Sequence, residues 1–135
     1  MDVCTISGEV RCPLSILVAD DEELLRESVA ELLRERGHAV AAVGSAREAL
    51  DNARLRMPNL AIIDWRMPGG GASVIQELLA APSFQGRILL MTGSIEGDEV
   101  AALGGHVERF QKPFSFKGLL ARVEEIGQEL SVPIP

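Results

Sequence analysis

The chain is poor in residues that staple, anchor or stack. It has two cysteines, one tryptophan and no tyrosine, and aromatic residues make up 4% of its 135 positions. Cys4 and Cys12 lie near one end, in no CxxC pair and no Cys/His cluster. That excludes a disulfide framework and a cysteine-based metal site, and reduced thiols in a cytoplasmic protein are the expectation. No apolar run approaches the roughly 20 residues that span a bilayer, so membrane insertion is not expected. The opening MDVCTISGEVRC lacks the basic-then-apolar order of a signal peptide. Positive charge is also scarce: 13 Lys and Arg stand against 20 Asp and Glu, for a net charge of −7. A nucleic-acid-binding surface needs clustered cations, so direct nucleic-acid binding is not expected.

What is present fits one globular domain. Hydrophobic residues make up 47% and charged residues 24%, ordinary values for a folded chain. Residues 1–14 read as a flexible lead, 15–130 as the domain, and 131–135 as a tail or the start of a linker. Inside the domain, short aliphatic runs alternate with helical patterns. SILVA (15–19), 39–43, LAIID (60–64), RILLMT (87–92) and 106–111 read as strands. Leu25, Val29, Leu32 and Leu33 fall on one helical face, and Gly37 caps that helix at its C-terminus. Ser45 and Glu48 form a capping-box pattern before Ala46, Ala49, Leu50 and Ala53. Further helices are expected around 73–80, around 96–103, and along Phe116, Leu119, Leu120, Val123 and Ile126, the last with Ser115 as N-cap. Five strands alternating with five helices imply a doubly wound α/β fold around a parallel sheet.

In such sheets the functional residues lie beyond the carboxyl ends of the strands. Here those positions hold Asp20 and Asp21 after the first strand, Asp64 ending the third, Thr92 ending the fourth and Lys112 after the fifth. Three carboxylates held together repel unless a cation intervenes, and an all-oxygen set suits a hard divalent ion, Mg²⁺ above all. Lys112 offers a mobile positive charge and Thr92 a hydroxyl donor. Asp64 is then the nucleophile of a phosphoryl transfer.

These residues carry a family resemblance. VADDE, IIDWRMPGG, LLMTG and FQKPF, in that order, resemble the motifs of the receiver domain of two-component response regulators. The spacings also fit, with 44 residues from Asp20 to Asp64, 28 from Asp64 to Thr92 and 20 from Thr92 to Lys112. The resemblance spans roughly residues 15–130. It implies a flavodoxin-like sheet of strand order 2-1-3-4-5. Asp64 is then the phosphoacceptor, and Mg²⁺ is held by Asp21 directly, by Asp20 largely through water, by Asp64, and by the backbone carbonyl of Arg66. A histidine kinase or phosphotransfer protein is the implied donor. The Lys112–Pro113 peptide is expected to be cis, and Gly93 and Pro113 are expected to belong, with Arg109, to the switching residues. By the same resemblance the protein is expected to be a regulatory phosphoacceptor that assists its own phosphorylation and dephosphorylation. A protein target is expected, with a homodimer through the fourth helix, fifth strand and fifth helix as the candidate assembly.

Two departures from the pattern stand out. Arg109 occupies the place of the family's switching aromatic, so a change of Arg109's partners is expected instead. Gly69-Gly70-Gly71 makes the loop after Asp64 permissive, with Arg66 aimed across the site. Trp65 is expected to pack beside the site and His38 to be solvated or lightly capped. Three alternatives remain. A degenerate receiver that binds partners without phosphorylation is the first. An aspartate-nucleophile phosphohydrolase is the second, although Arg66 stands where its acid/base aspartate belongs. A flavin-binding module is the third, although Asp20-Asp21-Glu22-Glu23 would repel its phosphate.

Overall fold

The computed structural model describes residues 5–6, 9–10, 13–93 and 106–131. Thr5–Ile6 (β1) and Glu9–Val10 (β2) pair as a short antiparallel ladder, a feature the reading of 1–14 as an irregular lead did not anticipate. The domain then follows as β3 (Ser15–Ala19), α1 (Glu23–Glu35), β4 (Ala39–Val43), α2 (Ala46–Leu55), β5 (Leu60–Asp64), α3 (Gly71–Ala80), β6 (Arg87–Thr92), β7 (Val107–Gln111) and α4 (Phe116–Ser131). Four helices are among the described residues; the helix expected near 96–103 lies outside them. The five main strands are parallel and ordered β4-β3-β5-β6-β7, the expected 2-1-3-4-5 arrangement of a flavodoxin-like fold.

The core has two layers because the central strands bury both faces. On one face Leu17, Ala19, Ala61, Ile63, Ile88 and Leu90 meet the alanines of α2 and Val74, Ile75 and Leu78 of α3. On the other, Ile16, Val18, Leu60, Ile62, Leu89 and Met91 meet Val29 and Leu33 of α1 and Leu119, Val123 and Ile126 of α4. Each fully buried Leu or Ile contributes about 1.5–3 kcal/mol, so these faces dominate stability.

Local signals place the helix ends. Gly37 (φ 96°) closes α1, with the N–H of His38 donating to the carbonyl of Leu33 and that of Gly37 to Arg34, the paired bonds of a Schellman end. Ser45 Oγ accepts from the Glu48 N–H at 3.2 Å, while Glu48 Oε1 accepts from the N–H of Gly44 rather than that of Ser45. Ser115 Oγ accepts from the Gly118 N–H at 2.9 Å. His38 differs from expectation: it is buried, and its Nδ1 accepts the Leu14 N–H at 3.0 Å. Burial pushes its pKa below the ordinary 6.5, with Glu124 opposing and Arg36 assisting. Among the described residues no helix is long and apolar enough to cross a membrane.

Candidate functional site

The carboxyl ends of β3, β5, β6 and β7 meet at one edge of the sheet. Asp20 is fully buried there. Its N–H donates to the carbonyl of Val43 at 3.1 Å, fixing the end of β3 against the end of β4. Its Oδ1 accepts the N–H of Glu22 at 2.9 Å, and its carbonyl accepts from the Arg26 guanidinium at 3.2 Å. The turn into α1 is thus built around this one aspartate, a local bonding pattern that Asp favours.

Asp64 ends β5, the most buried strand, and is itself only 6% exposed. Carboxylate oxygens of Asp20, Asp21 and Asp64 lie within 4.8 Å of one another. Asp20 and Asp64 are buried and Asp21 is exposed, so the cluster opens to solvent on one side. Burial first, and then the charge of Asp20, push Asp64 up to about 6, against the pull of the Arg66 N–H and of Lys112. Two buried carboxylates at this separation want a cation, and a set made only of carboxylate oxygens fits a hard divalent ion.

Lys112 supplies part of that charge. Its Nζ lies 3.1 Å from Asp20 Oδ2, 2.9 Å from Glu22 Oε1 and 3.6 Å from Asp64 Oδ2. Burial disfavours the ammonium, but Glu22 and Asp20, with Asp64 behind them, outweigh it and raise its pKa above the usual lysine value. The backbone N–H of Lys112 donates to the carbonyl of Thr92 at 2.9 Å, joining the ends of β6 and β7. Thr92 is buried and Gly93 beside it is exposed. The Lys112–Pro113 peptide is cis, as expected.

The loop after Asp64 departs from expectation. Its three glycines tie it down rather than loosen it. Gly70 N–H donates to Met67 and Gly71 N–H to Trp65, while the Pro68 carbonyl accepts the first N–H of α2, from Ala46. Gly69 and Gly70 have positive φ, and a Cβ on Gly71 would lie 2.5 Å from the Asp64 carbonyl. Each of the three positions therefore excludes a side chain for a definite reason. Arg66 is exposed, and its N–H donates to Asp64 Oδ1 at 3.2 Å. Trp65 is half-buried and packs on the α2/α3 layer. Arg109 on β7 is exposed, whereas Phe110 packs on the opposite face, edge-on to Phe114 at 5.4 Å.

The sequence reading missed Glu22. In the sequence it enters only as part of the acidic run Asp20-Asp21-Glu22-Glu23, yet at 2.9 Å it makes the shortest of the three carboxylate contacts to Lys112. The signal lay in its place directly after the acidic pair, which puts it at the rim of the strand-end cluster.

Comparison with known proteins decides the family. The model of the response regulator receiver domain matches residues 16–124. The chain belongs to the response regulator receiver family. It is 33% identical over 127 residues to the transcriptional regulatory protein PdtaR of Mycobacterium tuberculosis, covering 89% of this chain and 60% of that protein. It is 36% identical over 115 residues to the two-component response regulator PhoP of Pseudomonas aeruginosa, covering 84% of this chain and 51% of that one. The chain thus spans little more than half the length of these relatives. Among solved structures, the CheY-like receiver domain from Methanospirillum hungatei superposes with a TM-score of 0.76 at 22% identity, covering 87% of this chain and 95% of that one. Chemotaxis response regulator CheY4 of Vibrio cholerae gives 0.77 at 24%, covering 84% and 98%. As a receiver domain the chain is a regulatory module of two-component signal transduction.

Proposed function

We propose that this receiver accepts a phosphoryl group on Asp64 from a phosphohistidine of a histidine kinase or phosphotransfer protein, in a cytoplasmic phosphorelay that uses Mg²⁺. The observation that carries the reading is the convergence of Asp20, Asp21, Asp64 and Lys112 at one sheet edge. Asp20, Asp21, Asp64 and the backbone carbonyl of Arg66 would hold the ion. When bound, it supplies positive charge that offsets the carboxylates and the incoming phosphoryl oxygens.

The work of the chain's own residues follows. A carboxylate oxygen of Asp64 forms the new bond to phosphorus as the phosphorus–nitrogen bond breaks. The bonding pair leaves with the imidazole, and the product is an acyl phosphate. Lys112 turns an N–H of its ammonium to one phosphoryl oxygen, and the Thr92 hydroxyl donates to another. Such transfer depends mainly on position and charge, which the ties at Asp20, Arg66 and Lys112 supply. The same groups assist dephosphorylation when water attacks. Occupancy of Asp64 then draws Thr92, Gly93 and the Lys112–Pro113 segment together and changes the partners of Arg109, which alters a protein-binding surface. A homodimer through the 96–103 segment, β7 and α4 belongs to the same proposal. A phosphohydrolase is disfavoured because Arg66 offers no acid/base group two residues after Asp64. A receiver that only binds partners is disfavoured by the complete set of charged contacts.

The test is phosphoryl incorporation from a small acyl-phosphate donor, with and without Mg²⁺. Incorporation is expected in the parent with Mg²⁺ and falls to background in Asp64→Ala. Equal incorporation in both proteins contradicts the assignment.

A further inference from the structure

Lys112 is shared among three carboxylates, and they are not equivalent. Asp20 and Asp64 have buried side chains, 0% and 9% exposed, while the Glu22 side chain is 62% exposed. Even so, Glu22 makes the shortest contact, 2.9 Å against 3.1 and 3.6 Å. Its backbone is not free to drift, because the Glu22 N–H is held by Asp20 Oδ1 at 2.9 Å. The oxygens that Lys112 touches on Asp20 and Asp64 belong to the carboxylates that form the acidic cluster. Without another cation, the ammonium is therefore their counter-charge. A divalent ion entering that cluster competes with the ammonium for the same carboxylates. An ammonium left unpaired at a half-buried position is unfavourable, whereas one that keeps a well-hydrated carboxylate partner is not.

We propose that Glu22 is a positioning residue that holds the Lys112 ammonium on the solvent side of the site, so that Asp20 and Asp64 can exchange it for a divalent cation. The inference rests on the receiver reading of this same site and adds the control of Lys112 within it. Without the Glu22 charge, Lys112 falls back onto Asp20 and Asp64 and competes more strongly with the ion. An exposed ion pair has modest strength, so the effect is a few-fold change in affinity rather than loss of binding.

The experiment is a Mg²⁺ titration followed by Trp65 fluorescence, on the parent, Glu22→Gln, Lys112→Met and the double variant. Glu23→Gln serves as a control that removes the same charge one residue further along. Glu22→Gln is expected to weaken Mg²⁺ binding about threefold. That loss disappears in the Lys112→Met background and exceeds the loss in Glu23→Gln. In parallel, the NMR signal of the Lys112 side-chain nitrogen shifts in Glu22→Gln before any Mg²⁺ is added, a readout that needs no Lys112 variant to fold. The same loss with and without Lys112, or a Lys112 signal unmoved by Glu22→Gln, overturns the inference and leaves the receiver reading standing. A parent that gives no Mg²⁺ response overturns both.

Discussion

Two buried ionisable residues give the protein opposite responses to acid. Asp64 is pushed up to about 6 from 3.8, chiefly by burial. The folded state therefore keeps a proton on Asp64 that the unfolded chain releases near pH 4. The associated stability is full below that pH and is lost as pH rises through 6. Metal-free Asp64→Asn, in the presence of chelator, is expected to exceed the parent in stability by about 1–3 kcal/mol at neutral pH. Urea unfolding at neutral pH and near pH 4 checks this, and the difference should vanish at the acid end. His38 acts the other way. Burial lowers its pKa, so below 6.5 the unfolded chain takes up a proton that the folded chain refuses, and stability falls with pH. His38→Gln keeps an acceptor for the Leu14 N–H and removes the titration. Its stability relative to the parent should rise between about pH 7 and pH 5. Asp64 was legible in the sequence because it ends an aliphatic strand. The burial of His38 was not, since a single histidine after a glycine carries no periodic signal and its partner, Leu14, lies 24 residues away.

At the scale of elements, the strand ends were readable because aliphatic runs stop at Asp, Gly and Pro. Ser15–Ala19, Ala39–Val43, Leu60–Asp64 and Arg87–Thr92 stand where the sequence places them. The start of α3 was less clear. The helix begins at Gly71, with Gly70 as its N-cap and no side-chain cap bond, so no capping residue announced it. What sets that start is tertiary: the Gly71 backbone packs against the Asp64 carbonyl, a close approach that composition cannot reveal. The two-residue strands β1 and β2 are too short to show any period. The tied loop yields a direct prediction. A Cβ at Gly69 would meet Ala46 Cβ at 2.8 Å, and its φ is +87°, so Gly69→Ala should cost about 1–3 kcal/mol. At Gly93 a Cβ meets nothing within 4 Å among the described residues, and Gly93→Ala should lie within about 0.5 kcal/mol of the parent. Denaturant midpoints of the two variants side by side test the contrast.

At the scale of the whole molecule, the site exists only because the fold closes. The contact from Lys112 to Asp20 spans 92 residues, and Asp64 reaches both through β5, between β3 and β6. The two apolar layers fix the register of those strands, and the register sets which side chains meet at the edge. The set of residues was legible in the sequence through the alternation of strands and helices. The sharing of Lys112 was not, because it depends on how one flexible side chain divides itself among three acids. The central claim is that this edge makes Asp64 a phosphoacceptor. The measurement that tests it most directly is borohydride reduction of the protein after treatment with an acyl-phosphate donor and Mg²⁺, followed by peptide mass mapping. The account predicts reduction of the acyl phosphate to homoserine at position 64, dependent on Mg²⁺. Stable phosphorylation at another residue, or an unmodified position 64 under conditions that modify a control receiver, would contradict it.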